Sequence, residues 1–117
     1  TGSSFANARM AGVSLAPFSD SGFIEMLWRS RLDSADLSGA DLTGADLTHV
    51  SLRFANLKGA KLAGAKLKNA DLSHADLTGA DVTGADFSHA DLDRAVLTGI
   101  GSVSGLPSAR NRDKAIN

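Results

Sequence analysis

Residues 30–99 read SRLDS ADLSG ADLTG ADLTH VSLRF ANLKG AKLAG AKLKN ADLSH ADLTG ADVTG ADFSH ADLDR AVLTG. Written in fives, the first position is alanine in twelve of the fourteen repeats and the third is leucine in twelve. A step of five residues turns an α-helix by roughly 500°, so the leucines would scatter around a helix axis. The period therefore excludes a helix.

Within each repeat the pattern is that of a strand, because Ala35 and Leu37 point one way while Asp36 and Ser38 point the other. Five is an odd number, so a continuous strand would turn its leucines to the opposite face at every repeat. All leucines can enter one core only if the backbone turns a corner once per repeat. The sequence thus predicts a chain that coils around its own side chains.

A second period gives the number of corners. Glycine fills the fifth position at residues 39, 59, 79 and 99 and again at 44, 64 and 84, whereas the other two phases carry serine, phenylalanine, histidine, asparagine or arginine. This 20-residue repeat predicts four sides per coil, with residues i and i+20 stacked about 4.8 Å apart.

Runs such as ADLSG at 35–39, ADLTG at 40–44 and ADLSH at 70–74 resemble the A(D/N)LXX signature of pentapeptide repeat proteins, over at least seventy of the 117 residues. The resemblance implies an all-β fold, a right-handed quadrilateral β-helix. It implies no single function, because the family is a shape that serves many purposes.

We expect residues 1–117 to form one domain. The five-residue repeat is interrupted near both ends of the chain. Residues 3–17 carry repeats in another frame, and 30–100 are the regular repeats. Residues 18–29 are an insertion that we expect to be helical, with Asp20 or Ser21 as its cap and Trp28 on it. It either covers the core or binds a partner. Residues 101–117 form a tail in which Leu106 and Ile116 are expected to cap the core.

Composition fits a small soluble protein. The chain has no cysteine, which excludes disulfides and thiolate metal sites, and no apolar run approaches the roughly 20 residues of a membrane span. We therefore expect no membrane span, while the compartment stays open.

Charges on the outer positions alternate by coil: mostly aspartate over 31–50, arginine and lysine over 51–70, and aspartate over 71–90. Stacking predicts the columns Asp41–Lys61–Asp81 and Asp46–Lys66–Asp86. A basic coil relieves repulsion between like charges that would otherwise face each other.

The same pattern bears on two function classes. The resemblance brings in family members that are acidic, dimeric rods which mimic DNA and bind DNA gyrase, but here the net charge is −1 and a basic coil interrupts every acidic strip. An enzyme is disfavoured because flat walls offer no pocket that could shift the pKa of an aspartate. His49, His74 and His89 lie at corners, too far apart to share a metal.

The predicted function is a non-catalytic β-solenoid that acts as a protein-interaction or spacer module, the alternative being a DNA-mimicking, gyrase-binding protein. We expect no enzyme activity, cofactor, metal or nucleic acid. The expected partner is another protein, and an end-to-end homodimer is an arrangement that the sequence leaves open. The candidate partner contacts are Phe54, which the insertion either covers or leaves exposed, and Trp28. The predicted core residues are Leu37, Leu42, Leu47, Leu52, Leu57, Leu62, Leu67, Leu72, Leu77, Val82, Phe87 and Leu92.

Overall fold

Every five-residue repeat closes with a β-turn, which makes the corner that the odd period predicts. The computed structural model describes residues 4–15, 32–100 and 108–116. In a representative repeat the amide of Ala40 donates to the carbonyl of Leu37 across the turn (3.1 Å), and Gly39 has a φ of 66°. A positive φ at the second central residue is typical of a type II turn. All fourteen fifth positions of 32–100 share this left-handed backbone.

Successive coils are joined by single-residue parallel bridges between the second positions of repeats 20 residues apart. Asp36 pairs with Asn56, and Asn56 pairs in turn with Asp76. Because the chain turns again after five residues, the pairing is confined to one bridged residue per side. A 3-10 helix lies at Arg112–Lys114. The architecture is a β-helix with 20 residues and four turns per coil.

In a repeat at the middle of the rod, four backbone amides are bonded within the backbone. Taking the repeat at 55–59, the Asn56 amide donates to the preceding coil and the Leu57 and Gly59 amides donate to the following one. The Ala55 amide closes the turn that precedes the repeat. This leaves the amide of the fourth position, Lys58, for a side chain. Backbone amides that are shielded from water need a hydrogen-bond acceptor. The need of the fourth-position amide therefore explains why the second position carries an acceptor side chain, such as Asn56.

The interior is filled by the first and third positions. The alanines of the first position are at most 4% exposed, and Val50 is buried in the same position. Leu32 is half-buried and Leu97 is 7% exposed, whereas the other twelve third-position residues are at most 2% exposed: Leu37, Leu42, Leu47, Leu52, Leu57, Leu62, Leu67, Leu72, Leu77, Val82, Phe87 and Leu92. All of them belong to one hydrophobic cluster, so the core is continuous.

Residues 4–15 form three sides of a first coil. Ser4 pairs with Asp36, and Ser14 pairs with Asp46. The offset is 32 residues instead of 20, so twelve extra residues separate this coil from the regular ones. Phe5, Met10, Val13 and Leu15 are half-buried against the core. The helical insertion expected at 18–29, with Trp28, lies outside the described residues, as does Leu106.

The tail adds part of a last coil. Arg110 pairs with Asp91, and Ile116 pairs with Val96. These two tail residues are six apart rather than five, and the 3-10 helix between them takes up the additional residue. Ile116 was expected to cap the core, but its side chain is 53% exposed, because it continues the outward column of Val96. Ala109 and half-buried Ala115 pack against the core in its place.

Candidate functional site

The aspartates of the second position are bonded to their own repeats. Asp41 Oδ1 accepts a hydrogen bond from the amide of Thr43 (3.1 Å) and another from its hydroxyl (2.7 Å). The same two bonds join Asp36 to Ser38. Asparagine at the second position also accepts a hydrogen bond from the fourth-position amide, since Asn56 Oδ1 accepts from the amide of Lys58 at 3.1 Å. The acidic walls are therefore largely structural.

These bonds act on the ionised form of the carboxylates. Hydrogen bonds from the Ser38 side chain and amide hold the pKa of Asp36 below its ordinary value. For Asp91, burial acts to raise the pKa, but hydrogen bonds from the Asn111 side chain and the Asp93 amide outweigh it, and the pKa is lowered. Carboxylates with lowered pKa values are ionised at neutral pH and are poor proton donors.

Residues 51–70, which we call the basic coil, carry cations on all four sides. The bridges confirm the predicted columns: Lys61 lies between Asp41 and Asp81, and Lys66 between Asp46 and Asp86. The remaining cations of this coil are Arg53, Lys58 and Lys68. All five side chains are exposed.

Two of these cations approach a carboxylate of the next coil. Lys58 Nζ lies 3.6 Å from Asp76 Oδ2, and Arg53 Nε lies 3.9 Å from Asp71 Oδ2. In the described part of the chain, Lys61, Lys66 and Lys68 have no carboxylate within 4.0 Å. Exposed ion pairs at such distances contribute about 0–1 kcal/mol each.

The basic coil also carries an exposed aromatic residue at a corner. Phe54 is 56% exposed and stacks on His74, with ring centroids 4.6 Å apart and ring planes at 10°. This separation matches the spacing of neighbouring coils, so the two rings stack along the rod axis. The other neighbours in this column are Ser34 and Arg94, both exposed.

Phe54 adopts a backbone conformation that phenylalanine disfavours. Its φ is 60°, in the left-handed region, where a bulky side chain is an outlier. Glycine holds half of the fifth positions of 32–100, and the left-handed residues Asn7, Asn69 and Asn111 are asparagines. Strained residues that persist are concentrated at functional sites, which makes Phe54 the strongest candidate contact.

The histidines do not assemble a metal site. His49 and His89 occupy one corner column two coils apart, with Asn69 between them. Within residues 4–15, 32–100 and 108–116, no group of three or more His, Cys, Asp or Glu side chains is placed to hold a metal ion. Over the same residues, no helix is long and apolar enough to span a bilayer.

A comparison with protein-family models matches pentapeptide repeats, in eight copies, to residues 27–62 and 60–99. The chain belongs to the pentapeptide repeat family. The matched region contains the whole basic coil, Phe54 and His74, so the candidate site lies within the repeats. No curated protein shows significant sequence similarity to the chain.

Solved structures of pentapeptide repeat proteins share the fold. HetL from the cyanobacterium Nostoc sp. PCC 7120, involved in the regulation of heterocyst differentiation, is 26% identical over 99% of this chain and 60% of its own, with a TM-score of 0.54. A protein of the Arabidopsis thaliana thylakoid lumen is 28% identical over 90% and 61%, with a TM-score of 0.52. The alr5209 protein of Nostoc is 27% identical over 86% and 70%, with a TM-score of 0.53. The chain spans about three fifths of the length of the first two.

The pairing of the second and fourth positions is the feature that the sequence analysis did not include. Its sequence signal is the recurrence of aspartate two residues before serine or threonine, as in Asp71 and Ser73. Aspartate side chains commonly accept from the amide two residues on. Reading the pattern this way would have identified the aspartates as turn-stabilising residues.

Proposed function

We propose that the chain is a non-catalytic β-solenoid that binds another protein through the corner formed by Phe54 and His74. The observation that carries this proposal is the exposed phenyl ring of Phe54 in a left-handed backbone conformation. Aromatic side chains, phenylalanine included, are enriched at protein–protein interfaces. The aspartates around it are bonded within their own repeats, which favours a scaffold over an acid–base catalyst.

Further expectations belong to the same proposal. The coil winds to the right, as the family resemblance implies; residues 18–29, with Trp28, form a helical insertion; and two rods can pair end to end. If Phe54 contacts no partner, the scaffold acts as a spacer without a binding site.

A photo-crosslinking experiment tests the Phe54 contact. A benzophenone side chain at position 54 of the 117-residue chain is expected to form a discrete adduct with a partner, which mass spectrometry identifies. The same side chain at Thr83, an exposed wall position, should give no such adduct. Binding of the identified partner is then measured for Phe54→Ser and Ile116→Ser, which each remove an exposed large apolar side chain.

We expect Phe54→Ser to weaken binding by about 2 kcal/mol or more, the size typical of a central aromatic contact, and Ile116→Ser to leave it unchanged. Serine is tolerated in this column, since Ser34 has a φ of 62°. Equal effects of the two variants, or the absence of any adduct, would leave the spacer role.

The second candidate, mimicry of DNA towards gyrase, has less support. Mimicry requires a long negative face, and a lysine of the basic coil interrupts the columns of Asp41 and Asp46 after about one coil.

A further inference from the structure

Two repeats of the basic coil lack an acceptor for the amide of their fourth position, whereas the amides of Arg53 and Lys58 in the same coil donate to Asp33 and Asn56. Lys61 and Lys66 occupy second positions, and an ammonium group cannot accept a hydrogen bond. Ala63 and Lys68 are the fourth residues of these repeats. Among the described residues, none accepts a hydrogen bond from their amides. The equivalent amide of Thr83, one coil away, donates to Asp81 Oδ1 at 3.1 Å.

These two amides lie at the wall surface beside exposed cations. Lys68 is exposed and Ala63 is half-buried. The side chains of Lys61 and Lys66 are exposed as well. Each repeat thus presents an unbonded amide and an ammonium group at the place where its neighbours hold a carboxylate. A carboxylate supplied from outside would satisfy both groups with charge-assisted bonds.

The geometry points to an acidic segment of a partner protein as the occupant of this surface, its carboxylates taking the places that Asp41 and Asp46 hold in the preceding coil. One carboxylate accepts from the Ala63 amide and pairs with Lys61. A second accepts from the Lys68 amide and pairs with Lys66. This inference rests on the proposed function, since it specifies the chemistry of the protein partner.

The flanking coils favour an acidic protein segment over nucleic acid. Asp41 and Asp81 bracket Lys61 at strand spacing, about 4.8 Å on each side. In those coils the equivalent amides of Thr43 and Thr83 each donate to a carboxylate oxygen, so this place on the wall suits a planar carboxylate better than a tetrahedral phosphate. An acidic protein segment that crosses the rod around the basic coil can place single carboxylates on it.

Titration of the ¹⁵N-labelled 117-residue chain with a hexaglutamate peptide tests the inference. We expect saturable downfield shifts of the Ala63 and Lys68 amide protons. In the double variant Lys61→Asp, Lys66→Asp, each new aspartate supplies the missing acceptor, so both amides should shift downfield without peptide. Affinity for hexaglutamate should fall by about tenfold or more, since a charge-assisted contact is lost at each repeat.

The matched control is Arg112→Asp, Lys114→Asp, which changes the net charge equally at two exposed residues of the tail. We expect this control to reduce affinity by less than about threefold, because separated surface charges act mainly through the screened long-range field. Equal losses in both double variants would overturn the inference, as would peptide binding that leaves the Ala63 and Lys68 amides unshifted. Stronger shifts of these amides with a DNA strand of equal charge would also overturn it.

Two outcomes distinguish failure of the Phe54 contact from failure of the acidic-segment inference. If Phe54→Ser abolishes binding of the crosslinked partner and the lysine double variant does not, the scaffold function stands and the acidic-segment inference is wrong. If hexaglutamate shifts both amides of the native chain and of Phe54→Ser alike, the lysine site stands without the aromatic contact.

Discussion

Asp86 and Ser88 are joined by two hydrogen bonds within one repeat: the Ser88 amide donates to Asp86 Oδ1 at 2.9 Å, and its hydroxyl donates to the same oxygen at 2.5 Å. The carboxylate therefore completes the backbone bonding of the repeat at the amide that cannot reach another coil. This relationship explains why a chain with an apolar interior also needs acidic residues at fixed intervals.

Replacing Asp86 by alanine should destabilise the fold more than replacing it by asparagine. Alanine leaves the Ser88 amide without its acceptor, which costs about 1 kcal/mol. Asparagine retains an acceptor oxygen, and Asn56 already serves Lys58 in this way. Urea denaturation of Asp86→Ala and Asp86→Asn measures the difference. Equal destabilisation would mean that the carboxylate charge, rather than the hydrogen bond, is the stabilising feature.

Stability should fall in acid. Among the residues that the structure describes, seven aspartates have lowered pKa values: Asp36, Asp41, Asp46, Asp76, Asp81, Asp86 and Asp91. A group whose pKa is lower when folded contributes stability above its unfolded value, about 3.9, and loses it as the pH falls through the folded value. The free energy of unfolding should therefore be constant from neutral pH to about pH 5 and decrease below about pH 4.

Asp86→Asn provides the control for this titration, because hydrogen bonds from Ser88 lower the pKa of Asp86 and an asparagine does not ionise. The stability difference between the native chain and Asp86→Asn should narrow as the pH falls below about 4, when the native carboxylate is protonated too. A difference that is constant between pH 7 and pH 2 would contradict the assignment.

The pattern of five residues was sufficient to predict the coil and its interior direction, because side-chain alternation and an odd period leave few arrangements. Lys61 between Asp41 and Asp81 followed from the same register. The exposure of Ile116 did not follow, because the tail adds one residue through a 3-10 helix and shifts which residue points inward. The 20-residue register places Phe54 and His74 in one column. It does not predict that their rings stack, because periodicity does not set side-chain rotamers.

Leu62→Ala should destabilise the fold by about 2–5 kcal/mol, because it leaves a void in a column of buried leucines. Thr43→Ala, on the exposed wall, should cost about 1 kcal/mol or less, since the Thr43 amide remains bonded to Asp41. Thermal unfolding of both variants measures the contrast. Similar losses of stability would contradict the inward assignment of the third position.

The double variant Lys61→Glu, Lys66→Glu should lower the melting temperature, because each column then holds three acids at strand spacing. The loss should be larger at low salt than at high salt, since exposed charges are screened. Lys61→Gln, Lys66→Gln removes the cations without adding acids and should show a smaller loss. Melting temperatures of the glutamate variant that do not respond to ionic strength would rule out repulsion as the cause.

Phe54→Asn should leave stability within about 1 kcal/mol of the native chain, because relief of the left-handed backbone offsets the lost stacking on His74. Asn69 shows that asparagine adopts this conformation here, with a φ of 60°. Chemical denaturation measures the effect. A loss of several kcal/mol would make Phe54 a structural residue and remove the argument that it is kept for binding.

The native chain should not inhibit DNA gyrase at micromolar concentration. A DNA mimic presents a continuous negative face, whereas this chain has a net charge of −1 and a basic coil between its acidic coils. A variant with Lys58, Lys61, Lys66 and Lys68 changed to glutamine removes the interruption and should bind gyrase more tightly than the native chain only if mimicry is the function. Supercoiling assays with purified gyrase and increasing amounts of each chain provide the measurement. Dose-dependent inhibition by the native chain that is lost at higher salt would replace the scaffold proposal with DNA mimicry.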